Sequence, residues 1–353
     1  ADAGGEGRSG ANDAAWLTVG YLPLEIEAGT ISAGSGTRST SASGMPDPTE
    51  RLDEGRRREQ GGALEGAREC FECAAAESDD PDLVAEALWR LSHVHRVQCR
   101  WDEAVEAARR AAGVAAGAGL TERQAEALNA EAAVHMSRGA PDAAGPLLER
   151  ILGLSADARV RGVALQNLGT IAAQAGDLDA AERHFADSHA CFRSAGYARG
   201  EAMALNNQGR AALDRGRHQD AARLLERALM LARELPDMDL IALASLNLAE
   251  AFAAAGRDLD AQDMATTALG FFATASNAWR RVECLRLIGD IHDGRGDRAS
   301  AVACWEQAKA LADEIGAAGE RAAIDARLAG THAAGAPGRN EGPAITPAPA
   351  TPA

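Results

Sequence analysis

Lysine occurs once, at Lys309, and aromatic side chains make up only 4% of the chain. With no second lysine there is no Gly-rich phosphate loop ending in Lys-Ser or Lys-Thr, so a nucleotide-binding module of that kind is excluded. β-Branched residues are sparse beside Ala and Leu, a bias toward helices and away from sheets. Basic charge is also short: 36 Lys and Arg stand against 52 Asp and Glu, giving a formal charge of -16. Such a chain repels phosphate backbones and anionic lipid, so nucleic acid and membrane surfaces are unexpected partners. No apolar run is long enough to cross a bilayer, and no basic-then-apolar signal pattern opens the sequence. The six cysteines (Cys70, Cys73, Cys99, Cys191, Cys284, Cys304) are scattered, unlike a small disulfide scaffold. A soluble protein of the reducing cytoplasm is expected.

Catalytic groupings are missing too. Cys70 and Cys73 form a lone C-x-x-C without a second pair, and they read as small half-buried residues on a helix. His93 with His95 and His184 with His189 lie at i,i+2 and i,i+5, separations that do not stack two rings on one helical face. No Ser/His/Asp or Cys/His nucleophile can be assembled. The chain is expected to be no enzyme, with no metal and no cofactor.

What is present is a repeat. A small residue recurs at Gly55, Ser92, Ala132, Gly169, Gly209, Ala249 and Gly289. Seven residues later comes a turn column: Gly62, Cys99, Gly139, Gly176, Gly216, Gly256 and Gly296. Five residues further stands Ala67, Ala104, Ala144, Ala181, Ala221, Ala261 or Ala301. A bulky residue follows by four in most copies (Phe71, Leu148, Phe185, Leu225, Trp305). Each column has a physical reason. Small residues let two antiparallel helices approach closely, and glycine ends the first helix in the left-handed conformation without a Cβ clash. Acidic residues after the turn, as at Asp177 and Asp297, can cap the second helix.

These columns, and above all Leu168-Gly169 with Gly176, Ala181 and Phe185 and Ile288-Gly289 with Gly296, Ala301 and Trp305, resemble the tetratricopeptide repeat. The resemblance covers roughly residues 47–330. It implies an all-α fold, an α-solenoid winding as a right-handed superhelix of about seven hairpins plus a capping helix over Glu320 to Leu328. Copies are spaced by 37 or 40 residues, longer than the usual repeat, so helices or inter-repeat turns must be extended. That long variety is similar to the arrays of bacterial transcriptional regulators and signalling ATPases.

Residues 1–46 are rich in Gly, Ser, Ala and Thr, with one apolar piece from Trp16 to Ile26, and disorder is expected there. Met45, just before Pro46-Asp47-Pro48-Thr49, is a candidate initiator, with the upstream part then a fragment or misread frame. Residues 331–353 read as a flexible Pro/Ala-rich tail.

Asn167, Asn207 and Asn247 form a further column in the first helix of the hairpin. By family resemblance the concave groove is lined one residue before that column and three after it: Trp89, His93, Asn129, Gln166, Thr170, Asn206, Arg210, Glu250, Arg286 and Asp290. His93, Arg96 and Arg210 give its first half basic character, while Glu250, Asp290 and Asp293 make the later half acidic. The clamp lysines by which some family members hold chaperone tails have no counterpart. The expected function is a scaffold or adaptor binding a protein or peptide in this groove. The alternative is a ligand- or peptide-sensing receptor module of a bacterial regulatory system.

Overall fold

The structure, a computed structural model, describes residues 47–334 apart from Pro236 and Ser276. The readings of residues 1–46, Met45 included, and of the tail after Ala334 lie outside the described residues. Fifteen helices and no strand occur among the described residues. They pair as hairpins: α1 (Pro48–Gln60) with α2 (Leu64–Glu77), α3 (Pro81–Val97) with α4 (Trp101–Gly117), and α5 (Thr121–Ser137) with α6 (Pro141–Leu154). There follow α7 (Ala158–Gln174) with α8 (Leu178–Ser194), and α9 (Ala198–Asp214) with α10 (His218–Glu234). Then come α11 (Met238–Ala254), α12 (Asp258–Thr274), α13 (Ala278–Gly294) with α14 (Arg298–Glu314), and α15 (Ala318–Ala334). The architecture is all-α, built of helical repeats. The chain divides between Ala255 and Gly256 into two compact units, one ending with α11 and the other beginning with α12.

The long period now has a cause. Most helices are 17 residues and the turns between them are three, so two helices and two turns account for forty. The intervals of 37 fall where the second helix is cut to 14 residues, at α2 and α6. Both short helices end in the same way. Ser78 and Ser155 adopt extended backbone, their hydroxyls accept from the amides of Asp80 and Asp157, and those aspartates cap the next helix. Serine thereby offers the backbone an alternative partner and stops the helix about one turn early. After α4, α8 and α14 the turn instead carries Gly119, Gly196 or Gly316 with φ near +70°.

All seven residues of the turn column have positive φ, including Cys99 at 56°. At Gly176 the amide donates to Ala173 and that of Asp177 to Ala172, the paired bonds that close a helix C-terminus. The amides of Cys99 and Arg100 donate likewise to Arg96 and His95, but Cys99 carries a Cβ in a backbone region where side chains are strained. The expected caps form as well: Asp177 accepts from the Ala180 amide and Asp297 from that of Ser300.

The small column is set by the bulky one. A Cβ on Gly55, Gly169, Gly209 or Gly289 would lie 2.5 Å from Phe71, Phe185, Leu225 or Trp305 respectively. In the second hairpin the bulky position is Ala108, and there the partner column tolerates Ser92. Trp89 supplies the missing volume, packing with Leu88, Ala108, Ala111, Ala127 and Ala130. A second close approach has no counterpart in the columns: Phe192 is wedged so that a Cβ on Gly162 or Gly200 would meet its ring at 2.7 Å.

Two substitutions of opposite sign test this packing. Gly169→Ala should lower stability by about 1–3 kcal/mol, because the Phe185 ring must move, whereas Cys99→Gly should raise it by about 1 kcal/mol through relief of left-handed strain. Urea unfolding followed by circular dichroism reads both midpoints.

Candidate functional site

The first helices of the hairpins carry the residues expected to line a groove, and in the first unit the structure sorts them by depth. Trp89 is 2% exposed and belongs to the core between α3, α4 and α5, so it is not a surface anchor for a ligand. Gln166, Thr170 and Asn206 are fully buried as well. Thr170 donates back to the Gln166 carbonyl one turn earlier, and the Gln166 side chain accepts from Ser188 of α8. The physical reason is neighbourhood: each of α3, α5, α7 and α9 is flanked by helices on both sides, so a stripe that would be open on an isolated hairpin is covered in the stack. His93, Asn129, Arg210 and Glu250 stay half-buried.

The asparagines link hairpins. Asn167 donates to Asn129 at 3.3 Å, and Asn247 donates to Asn206 at 3.0 Å, with Asn206 in turn donating to Asn207. A carboxamide can both donate and accept, so one residue type serves both of these links between neighbouring repeats. Arg210 and Glu250, expected in opposite halves of a charge gradient, are joined at 2.6 Å, and Arg210 also holds Asp214 at 3.1 Å. That pairing neutralises the gradient at the point where it would have changed sign. Burial pushes the Asp214 carboxyl above its usual range; Glu250 adds to the rise and Arg210 opposes it.

In the second unit Arg286 donates to Glu320 of α15 at 3.0 Å. Asp290 accepts from the Trp305 indole at 3.0 Å and from Arg327 at 2.9 Å, tying α13 to α14 and α15. Asp290 and Arg286 therefore fasten the terminal helix, which is longer than the stretch expected from Glu320 to Leu328 and buries Ile324 fully.

A charge network on α1, α3 and α5 is absent from the expected lining. Glu86, almost fully buried, accepts from Arg56 at 2.9 Å and Arg90 at 2.8 Å and pairs with Arg123 at 2.9 Å. Glu59 accepts from Arg90 at 2.9 Å and lies 2.7 Å from His93 Nδ1. Burial alone would raise the Glu86 carboxyl, but Arg90, Arg56 and Arg123 outweigh it and hold it low. A signal for this network exists in the sequence: opposite charges recur about one repeat apart, as Arg56 with Glu86 and Asp82 with Arg123. Among the described residues no group of three His, Cys, Asp or Glu side chains is set to hold a metal ion, and no helix is long and apolar enough to cross a membrane.

Residues 157–234, spanning α7 to α10, match the tetratricopeptide repeat family model. Those residues carry tetratricopeptide repeats. No curated protein matches the chain in sequence. Among solved structures, the tetratricopeptide fold of this chain is similar to the apo form of RapI, 11% identical with a TM-score of 0.58 over 76% of this chain and 77% of that one. It is also similar to the signal transduction ATPase with numerous domains (STAND) protein with a tetratricopeptide repeat sensor from Pyrococcus horikoshii, 10% identical with a TM-score of 0.60. That match covers 78% of this chain but only 44% of the larger protein. A Rap protein complexed with Competence and Sporulation Factor gives 16% identity and a TM-score of 0.51, over 71% of this chain and 76% of that one. At these identities the likeness is one of fold.

The Asp214 environment gives a pH test. A carboxyl raised in the fold contributes stability that is present below its unfolded value and is lost as pH rises through the folded one. Asp214→Asn removes that loss, so the variant should gain on the wild-type tetratricopeptide protein as pH rises from the acid side to neutrality. Thermal midpoints across that range check it.

Proposed function

We propose that this tetratricopeptide-repeat protein binds a protein or peptide along the first-helix face of its first unit, through His93, Asn129, Arg210 and Glu250, and acts as a scaffold or adaptor without chemistry of its own. The observation that carries the reading is the pairing of depth and polarity on that face. The two asparagine bonds and the buried Trp89, Gln166, Thr170 and Asn206 fix the helices, while His93, Asn129, Arg210 and Glu250 on α3, α5, α9 and α11 stay half-buried beside them. Polar groups held in place by a rigid repeat suit an extended or helical segment recognised through hydrogen bonds and charge. Arg210 and Glu250, joined to each other in the free protein, would exchange that bond for contacts with a partner that itself carries both signs.

A second reading is favoured by the neighbours. One is described with a tetratricopeptide repeat sensor and another in complex with Competence and Sporulation Factor. A sensing module would take a small ligand on the same face and change shape when it does, whereas an adaptor would bury a larger surface with little change of its own.

Affinity capture from native extract, comparing wild type with Asn129→Ala/Arg210→Ala/Glu250→Ala, tests the proposal, with circular dichroism of the variant checking that it keeps the helical fold. A protein retained by wild type and weakened at least about tenfold in the variant supports the adaptor, a loss of roughly 1.4 kcal/mol. Equal retention by both removes this face from the account. Compaction in small-angle scattering with a low-mass ligand bound would favour the sensor.

A further inference from the structure

Helix α1 buries fewer residues than any other first helix of its unit. It buries only Leu52 and Gly55, whereas α3, α7, α9 and α11 each bury ten or more residues. Its N-terminus has no side-chain cap, and it leaves through Gly61 and Gly62, the latter at φ 74°. Arg56 to Glu86 and Glu59 to Arg90 are ion pairs between α1 and α3, Glu59 also meets His93 Nδ1, and Leu52 joins the apolar cluster of Phe71, Leu83 and Leu91. To α2 it adds Arg51 with Glu77 at 3.3 Å and the approach of Gly55 to the Phe71 ring.

We propose that α1 is an electrostatic latch, a helix that closes over α3 through this charge network and swings away about the Gly61-Gly62 turn when the network is weakened. The proposal is independent of the binding reading above. An apolar helix that leaves its site exposes hydrocarbon to water at a cost proportional to area. When α1 leaves, Arg56 and Glu59 regain hydration that burial had removed, which offsets part of the cost of uncovering Leu52 and Phe71. Salt screens the attraction that remains.

The groups facing the latch are Asp53, Arg56 and Glu59 on α1, Glu77 on α2, Asp82, Glu86, Arg90 and His93 on α3, and Arg123 and Glu126 on α5. Acid acts in the same direction as salt. Glu86 is held low in the fold, so its contribution is present above the unfolded value and is lost as pH falls through the folded one.

Amide hydrogen exchange of the full chain, resolved by mass spectrometry, tests the latch. Between about 50 mM and about 500 mM salt, where the screening length falls severalfold, amides of residues 51–60 should exchange at least about tenfold faster while those of α7 hold their rates. Glu86→Gln should produce the same acceleration at low salt, with Arg56→Gln as the second variant should the first not fold. Glu54→Gln, which touches only the exposed pairs with Arg57 and Arg58 inside α1, should not. Unchanged α1 rates with salt and in both network variants would overturn the proposal, as would α7 accelerating in parallel, since the whole unit would then be softening.

Discussion

Everything in this tetratricopeptide protein depends on how closely the two helices of a hairpin approach. In four hairpins the approach is so tight that a single added methyl group would meet a ring or a leucine at 2.5 Å. That distance fixes glycine on one helix and a bulky residue on the other, and it sets the crossing that every later element inherits. The second hairpin shows the constraint by its exception. Ala108 leaves room, Ser92 becomes acceptable, and Trp89 moves into the core to fill the space.

Close packing of hairpins has a consequence for function. A first helix flanked on both sides cannot expose a wide stripe, so most of its polar side chains must find partners within the fold. Asparagine meets that demand in the middle of the first unit, where carboxamides bond from one repeat to the next. Charge meets it at the beginning, where Glu86 gathers Arg56, Arg90 and Arg123. His93, Asn129, Arg210 and Glu250 are bonded within the fold as well, yet they stay partly exposed on a rigid support, which is what a recognition surface requires.

The repeat, its seven turns and the pairing of Gly169 with Phe185 were legible in the sequence because each rests on a local requirement, a positive φ or an absent Cβ. The helix stops after Ser78 and Ser155 were legible in principle, since Ser-x-Asp stands at both, but they show only once the 37-residue intervals are compared with the 40-residue ones. Depth was not legible. Trp89, Gln166, Thr170 and Asn206 occupy lining positions by family register, yet burial is decided by which neighbours lie alongside, and no periodicity within one helix encodes that. The Arg210–Glu250 pair escaped for a related reason: reading charge by halves of the chain hides a bond between residues forty apart.

The central claim is that the first helices of the first unit face the partner while the second helices only brace them. Carboxyl footprinting of the full-length protein, alone and with the protein captured from native extract, tests it most directly. The account predicts that Glu250 on α11 is shielded by the partner while the outward-facing Glu226 on α10 is labelled at an unchanged rate. Shielding of Glu226 with Glu250 untouched would contradict it and place recognition on the opposite face of the repeats.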